Sequence, residues 1–248
     1  MFSLWSANGE DPDERIGANL ALFPGIEAKF RSEHGQFVEQ FQANIGTFRM
    51  ALPDFDDDID IYDAYVIGLM DGAALPLDGK QVLVFGIDGM VRYHTSLNFK
   101  PLFHHELFHI YHDQRAPSVN DLPDFSRGLW AEGLAVYASR NLNPDATNGD
   151  ILIPDDLVAA CEQKRGQLIP DILSKLDSNS PADYAPYFKK DTSDALVPPR
   201  AGYYFGYLVA QKLAERHTLR EMAALDSVTL NGEIRSALQE LLETPNAQ

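Results

Sequence analysis

Apolar residues recur at helical intervals in the first fifty positions of the chain. Phe37, Phe41 and Phe48 are separated by four and seven residues, a spacing that places them on one face of a helix. Positions 25–50 therefore predict one or two helices. Positions 1–15 are polar and acidic instead, and we expect them to be loosely ordered.

Two later stretches have the composition of β-strands. Positions 59–70 are rich in Ile, Tyr and Val, and positions 80–97 carry apolar runs on both sides of Asp88-Gly89. An Asp-Gly pair between apolar runs favours a two-residue type I′ turn, so the second stretch predicts a hairpin. The acidic run PDFDDDIDIYD lacks the glycine and the glutamate that an EF-hand loop requires, and we interpret it as a solvated turn.

The histidine-rich segment KPLFHHELFHIYHDQR, positions 100–115, predicts a helix. Pro101 lies in its first turn, where the missing N–H group does no harm. The helix should end by Arg115, because the residue before Pro117 is disfavoured in the α region. The segment RGLWAEGLAVYASRN, positions 127–141, predicts a second helix that is apolar almost all round.

The remainder of the sequence is mostly helical in pattern, and it includes the capping box Thr218-x-x-Glu221. A first half with β-strands and a helical second half predict an α+β fold. We expect one domain with two lobes. Residues 1–125 would form an N-terminal lobe with the sheet and the histidine-rich helix, and residues 126–248 a helical C-terminal lobe.

Composition narrows the classes of function. The 248 residues are 45% hydrophobic, which is enough for a sizeable core, and no apolar run approaches the roughly 20 residues that span a bilayer. A net charge of −17 argues against nucleic acid as a partner. Cys161 is the only cysteine, so an intramolecular disulfide and a cysteine-based metal site are excluded. The N-terminus lacks the features of a signal peptide, so we expect a soluble protein, either cytoplasmic or a mature exported form.

The sequence HELFH, from His105 to His109, matches the metal-binding pattern HExxH. On a helix the two histidines lie one turn apart on the same face, so both imidazoles can reach one ion. Glu106 lies about 100° around the helix, where it can act on a water molecule rather than bind the metal. Zinc suits this pair of nitrogen ligands. For His104 and His112 we expect roles in packing or in supporting the ligands.

A catalytic zinc site needs a third protein ligand. Glu132 is the only charged residue between Arg127 and Arg140, and it lies among large apolar side chains. A buried carboxylate normally has a cation or a strong donor beside it. That partner could be an arginine, or the residue could lie at an exposed helix edge. With zinc, His105, His109 and Glu132 would form the His₂Glu set of a catalytic site.

The segment HHELFH followed by LWAEGLAVYAS resembles the gluzincin metallopeptidases, and looks most like uncharacterised bacterial members described as predicted zinc-dependent proteases. A weaker similarity extends to PPRAGYYFGYLVAQKL. The resemblance implies a zincin fold, in which a small twisted sheet with an antiparallel edge strand faces a helical lobe across a cleft. Thermolysin-like members have an acidic residue four positions after the ligand glutamate, where this chain has Val136. The group that supports the histidine ligands is therefore unassigned, with Asp113 as a candidate.

The implied chemistry is zinc-dependent hydrolysis of a peptide or protein substrate, with Glu106 as the general base. The resemblance also implies an oxyanion donor from the second lobe, for which Tyr203 and Tyr204 are the candidates and Arg200 a further one. The alternative is that both tyrosines pack in the core, as aromatic residues at helical spacing usually do.

Zincins bind a peptide as an additional strand at a sheet edge. We expect QVLVFGI or MVRYHTSL to supply that edge, unless the hairpin is purely structural. The aminopeptidase motif GxMEN is absent, which favours an endopeptidase. Two other functions stay open: a zinc-binding protein of this fold without protease activity, and a hydrolase of a non-peptide substrate.

Overall fold

The chain is mainly helical and includes a small sheet. The computed structural model describes residues 11–77, 79–94, 98–190, 192 and 194–243. Within these residues the strands are β1 (Asp60–Ala64), β2 (Gly72–Leu77) and β3 (Lys80–Gly86). The α-helices are α1 (Pro12–Ala51), α2 (Ile87–Tyr93), α3 (Lys100–Arg115), α4 (Asp124–Leu142), α5 (Asp155–Gln163), α6 (Arg165–Lys175), α7 (Pro181–Phe188), α8 (Ala201–Leu213), α9 (Leu219–Met222) and α10 (Ser227–Glu243), and a 3₁₀ helix covers Pro117–Asp121.

The described part of the chain is therefore α+β, mostly helical, with a three-stranded mixed sheet. One cluster of buried apolar side chains extends from Phe37 in α1 to Leu241 in α10. Among the described residues, no helix has both the length and the apolar character needed to cross a membrane.

The central strand of the sheet is β3. It runs parallel to β1, with Asp60 opposite Val82, and antiparallel to β2, with Leu77 opposite Lys80. The strand order β1-β3-β2 leaves β2 at an edge. Gly79 lies between β2 and β3 with φ at +81°, a conformation that glycine adopts without strain and that tight hairpin turns require.

The prediction of a hairpin at Asp88-Gly89 was wrong, because these residues lie in helix α2. The buried Asp88 carboxylate accepts hydrogen bonds from the N–H groups of Val66 at 2.7 Å and Gly68 at 2.5 Å. A Cβ atom on Gly89 would lie 1.8 Å from the Met70 carbonyl oxygen. Asp88 and Gly89 therefore contact the loop before β2. This long-range contact outweighs the preference of an Asp-Gly pair for a type I′ turn.

Neither of the two segments predicted to form the sheet edge does so. The segment QVLVFGI, positions 81–87, lies in the central strand β3 and ends at the first residue of α2. The segment MVRYHTSL, positions 90–97, begins inside α2, and its residues 95–97 lie outside the described part. The antiparallel edge is β2 instead.

The N-terminal helical pattern forms one helix, α1, which is 40 residues long. It begins at Pro12 with the Asp11 carboxylate accepting the Asp13 N–H at 2.9 Å, so its start falls inside the stretch predicted to be loosely ordered. Residues 1–10 of that stretch lie outside the described part. The acidic run after α1 is a loop until β1 begins at Asp60.

The two helices predicted around the candidate motif are confirmed. Helix α3 has Pro101 in its first turn and ends at Arg115, and α4 extends three residues beyond the predicted start. Helix α4 also packs closely on α8. A Cβ atom on Gly206 would lie 2.1 Å from the Leu129 carbonyl oxygen, and one on Gly133 would lie 2.1 Å from the Gly206 carbonyl carbon. Only glycine allows this approach of the two backbones.

Candidate metal centre

Three side-chain donor atoms converge between α3 and α4. His105 and His109 lie one turn apart on α3, and their Nε2 atoms are 3.1 Å apart. Glu132 reaches them from α4, with its Oε2 atom 3.3 Å from His105 Nε2 and 3.5 Å from His109 Nε2. Among the described residues, these three side chains form a group that could bind one metal ion.

The spacing of the three donors fits a tetrahedral ion. Ligands at about 2.0–2.1 Å from a tetrahedral centre lie about 3.3–3.4 Å from one another. The three observed distances, 3.1, 3.3 and 3.5 Å, bracket that value. Two imidazole nitrogens and one carboxylate oxygen also match the donor set of catalytic zinc sites, in which the fourth position is open.

The charges of the three residues are strongly coupled. Burial lowers the pKa of His105 to about 4, so this imidazole is neutral at pH 7. Burial also opposes protonation of His109, but the negative charge of Glu132 and its hydrogen bond prevail and raise the pKa of His109 to about 9. Burial would raise the pKa of Glu132, yet His109 and His105 hold it well below its usual range. Without a metal, the centre is thus an ion pair of protonated His109 and ionised Glu132.

Glu106 is buried beside the three donors and lines the same cleft. Burial raises its pKa to about 8, and the charges of Glu132 and Asp71 add to the effect. The edge strand touches this side chain directly, since a Cβ atom on Gly72 would lie 2.8 Å from Glu106 Cγ. A carboxyl group with a pKa near neutrality is therefore held between the candidate metal centre and the edge strand β2.

The cleft in front of the centre has a volume of about 570 Å³. Its walls come from the start of β2, from α3 and α4, and from α7 and the start of α8. A cavity of this size that contains a few converging polar groups and perturbed pKa values is the usual form of an active site.

Tyr203 and Arg200 also line the cleft. The Tyr203 ring stacks on the His105 ring with centroids 6.3 Å apart and planes at 11°, and the Arg200 guanidinium lies 4.1 Å from the centre of the Tyr203 ring. Burial and the charge of Glu132 raise the pKa of Tyr203 well above its usual value, so its hydroxyl keeps its proton. Tyr203 is thus a neutral hydrogen-bond donor fixed beside a candidate ligand.

The structure does not bring Tyr204 to this centre. Its hydroxyl donates a 2.7 Å hydrogen bond to Glu162 Oε1, on α5. Neighbouring residues of a helix point about 100° apart, so only one of the two tyrosines can face the cleft. Tyr207, one turn after Tyr203, accepts a hydrogen bond from Gln211 Nε2 at 2.9 Å and packs near Tyr137.

The other two histidines of α3 have separate surroundings. His104 joins helices, with its Nε2 atom 3.1 Å from Thr47 Oγ1 on α1 and its Nδ1 atom 3.0 Å from Asn143 Nδ2. Its predicted packing role is confirmed. His112 lines the cleft, and its buried Nε2 atom has no hydrogen-bond partner among the described residues.

No hydrogen-bonding group that supports His105 is found among the described residues. His105 Nδ1 is buried without a hydrogen-bond partner there. Asp113 lines the cleft and accepts a 3.3 Å hydrogen bond from Gln81 Nε2, and its charge contributes to the raised pKa of His109. Val136, at the position where thermolysin-like members have an acid, is fully buried in the core.

A charged cluster at the start of β2 has no signal in the sequence. The Asp71 carboxylate lies 2.9 Å from His94 Nε2 and 3.1 Å from Lys190 Nζ, a residue 119 positions away. Burial opposes the charge on Asp71, but these two partners hold its pKa well below its usual range. Asp71 lines the cleft, so its contact with His94 lies at the border of the cleft. Tyr184 on α7 is a second cleft residue that sequence reasoning missed.

No protein-family model, curated protein or solved structure matches this chain. The resemblance to gluzincins therefore stays a prediction that depends on the motif residues. In the structure His105, Glu106, His109 and Glu132 line one cleft, and His105, His109 and Glu132 could hold a metal ion.

Proposed function

We propose that the protein is a zinc-dependent hydrolase of peptide bonds, with His105, His109 and Glu132 as the metal ligands. The observation that carries this proposal is the tetrahedral spacing of the three donor atoms next to the buried carboxylate of Glu106. Zinc bound at such a site supplies Lewis acidity and lowers the pKa of water to about 7.

In this proposal Glu106 is the general base. Its carboxylate takes a proton from the attacking water and delivers that proton to the leaving amine. A group that does both needs a pKa near neutrality, and burial has already raised the pKa of Glu106 to about 8. A cation at the neighbouring centre favours the ionised form and brings this pKa down toward the working pH.

Tyr203 and Arg200 are the proposed donors to the oxyanion. Both line the cleft, and the stacked arrangement on His105 holds the tyrosine in one orientation. Preorganised donors of this kind usually contribute about 100-fold to 1000-fold in rate. Tyr204 is not part of this proposal, because its hydroxyl is bonded to Glu162.

The edge strand β2 is the proposed docking site for the peptide backbone. Gly72, Ala73 and Ala74 line the cleft, and the sheet has no strand on that side of β2 within the described residues. A peptide added there would pass Glu106, which touches Gly72. An antiparallel edge strand, a motif helix and helices across a cleft are the features that support a zincin-like fold.

The first test is metal content, measured by mass spectrometry on purified protein supplied with zinc. We expect about one zinc per chain in the wild type and a large loss in Glu132→Ala, because two histidines alone bind zinc weakly. His112→Asn is the matched control, since His112 lies on the same helix but outside the donor group, and it should retain the zinc. A folded wild type without zinc would refute the metal centre.

The second test separates peptide hydrolysis from the alternatives. Zinc-loaded wild type should cleave peptides, and Glu106→Gln should bind the same amount of zinc but lose almost all activity. Zinc binding without turnover on any peptide or ester would instead indicate a binding protein. Turnover of an ester but no peptide would indicate another hydrolase class.

A further inference from the structure

Two stacked aromatic rings form one wall of the cleft. Tyr184 and Phe188 lie one turn apart on α7, with ring centroids 4.3 Å apart and planes at 30°. Both line the cleft. Phe188 is fixed from behind by α8, because a Cβ atom on Gly202 would lie 2.3 Å from its Cε1 atom. The wall is thus rigid, and it belongs to the lobe across from the sheet.

This wall lies directly against the helix that carries Glu132. A Cβ atom on Gly128 would lie 2.7 Å from Tyr184 Cε2 and 3.4 Å from Phe188 Cζ. Gly128 precedes Glu132 by four residues, so the two positions are on the same face of α4. The charge of Glu132 also contributes, after burial, to the raised pKa of Tyr184.

The wall itself carries no charged group. On α4, Arg127 and Asp124 line the cleft as an ion pair with each other, and the Glu132 carboxylate is held by His105 and His109. The Tyr184 hydroxyl makes no hydrogen bond to any residue in the described part of the chain. With a pKa raised to about 12, it stays neutral. The wall therefore presents aromatic surface with one uncharged hydroxyl.

We propose that Tyr184 and Phe188 determine the substrate specificity. Their rings would contact the side chain of the substrate residue next to the cleaved bond, and they would favour a large apolar side chain such as Leu or Phe. This inference rests on the proposed peptidase function. Burying a Leu or Phe side chain against two aromatic rings removes apolar surface from water, whereas a charged side chain would lose its hydration without a partner. Because Gly128 has no side chain, the Tyr184 ring can pack against α4 at this position. Gly128 therefore sets the width of the subsite formed by Tyr184 and Phe188.

The test uses two series of quenched fluorescent peptides. One series varies the residue before the cleaved bond and the other varies the residue after it, with Gly, Ala, Leu, Phe, Asp or Lys at the varied position. Zinc-loaded wild type should prefer Leu and Phe over Gly by tenfold or more in kcat/KM, roughly the discrimination of apolar pockets. Tyr184→Ala should reduce this ratio severalfold, and Tyr184→Phe should keep it. Gly128→Ala should shift the preference toward Ala, because the added methyl group pushes the Tyr184 ring into the cleft.

Tyr62→Ala is the control, because Tyr62 is exposed on β1, at the sheet edge away from β2. It should retain the wild-type preference. The proposal is overturned when cleaved peptides show no apolar preference, or when Tyr184→Ala and Gly128→Ala both keep the wild-type profile.

A binding measurement distinguishes this failure from failure of the peptidase proposal. Zinc-loaded Glu106→Gln is titrated by calorimetry with the Phe and Gly peptides of the same set. Tighter binding of the Phe peptide that is lost in the double variant with Tyr184→Ala supports the subsite, even if the wild type cleaves neither peptide. Equal affinity for the two peptides refutes the subsite, whatever the wild type cleaves.

Discussion

Gly206→Ala should separate α4 from α8 and thereby disturb the candidate centre. The Cβ atom of the new alanine would lie 2.1 Å from the Leu129 carbonyl oxygen and 2.8 Å from Gly133 Cα. Both contacts are with backbone atoms of a buried helix, so no side-chain rotation can relieve them. Gly133 is the neighbour of Glu132, and Gly206 follows Tyr203 by three residues, so the same contact fixes the distance between a candidate ligand and a candidate oxyanion donor.

The expected magnitude is the difference between two opposing effects. Alanine is favoured over glycine inside a helix by about 1 kcal/mol. Overpacking a buried contact costs about 1–3 kcal/mol, and a backbone-to-backbone overlap belongs at the upper end because the helices must move apart by about 1 Å. We therefore expect a net loss of about 2 kcal/mol in the free energy of unfolding.

Urea unfolding followed by circular dichroism measures this loss, with the protein free of metal. Gly232→Ala is the matched control, since Gly232 lies in α10 with nothing within 4 Å of an added Cβ atom. The control should gain about 0.5–1 kcal/mol, because only the helix preference applies. A Gly206→Ala protein as stable as the wild type would falsify the close packing of α4 on α8.

Three further predictions concern the centre and the loop beside it. At pH 6, zinc binding to the Glu106→Gln variant should release about one proton from His109, whose pKa is raised to about 9, because His105 is already neutral and the variant lacks the titratable Glu106. Calorimetry in buffers of different ionisation enthalpy counts this proton, and a count near zero would contradict the ion pair with Glu132. In the metal-free protein the same raised pKa stabilises the fold below about pH 6.5, and urea titrations should show this contribution disappearing as the pH rises through 9. Asp88→Asn should lower the free energy of unfolding by about 1.5–3 kcal/mol in the same assay, because an amide can accept only one of the two backbone hydrogen bonds; an unchanged value would argue against this anchor.

The candidate ligand group could be predicted from the sequence because its geometry is local. His105 and His109 are one helical turn apart in any helix, so their convergence needs no knowledge of the fold. Glu132 could be found because a lone acid in an apolar helix needs a partner, and the structure places both histidines within 3.5 Å of it. The boundaries of helix α3 could also be predicted from neighbouring residues, because Pro101 lies in its first turn and Pro117 follows its end.

The sheet could not be predicted in the same way. Besides Asp71-Gly72, the chain contains Asp-Gly at positions 78–79 and 88–89, and the local turn rule treats these last two pairs alike. Gly79 lies between two paired strands, whereas Asp88 is used as a buried acceptor for the loop before β2. Which of Tyr203 and Tyr204 faces the cleft is also determined by long-range contacts. It depends on the rotation of α8 against α4, which the glycine contact fixes and the sequence pattern does not show.

Backbone strain near the cleft gives an independent reason to regard it as functional. Among the described residues, the non-glycine positions with positive φ are Ile67, Leu152 and Arg200. Leu152 and Arg200 line the cleft, and Ile67 lies in the loop that Asp88 holds before β2. Each such conformation costs about 1–3 kcal/mol and persists only where the surroundings enforce it. At Arg200 the strained backbone starts α8 and places the guanidinium over Tyr203, so the strain orients the two proposed oxyanion donors.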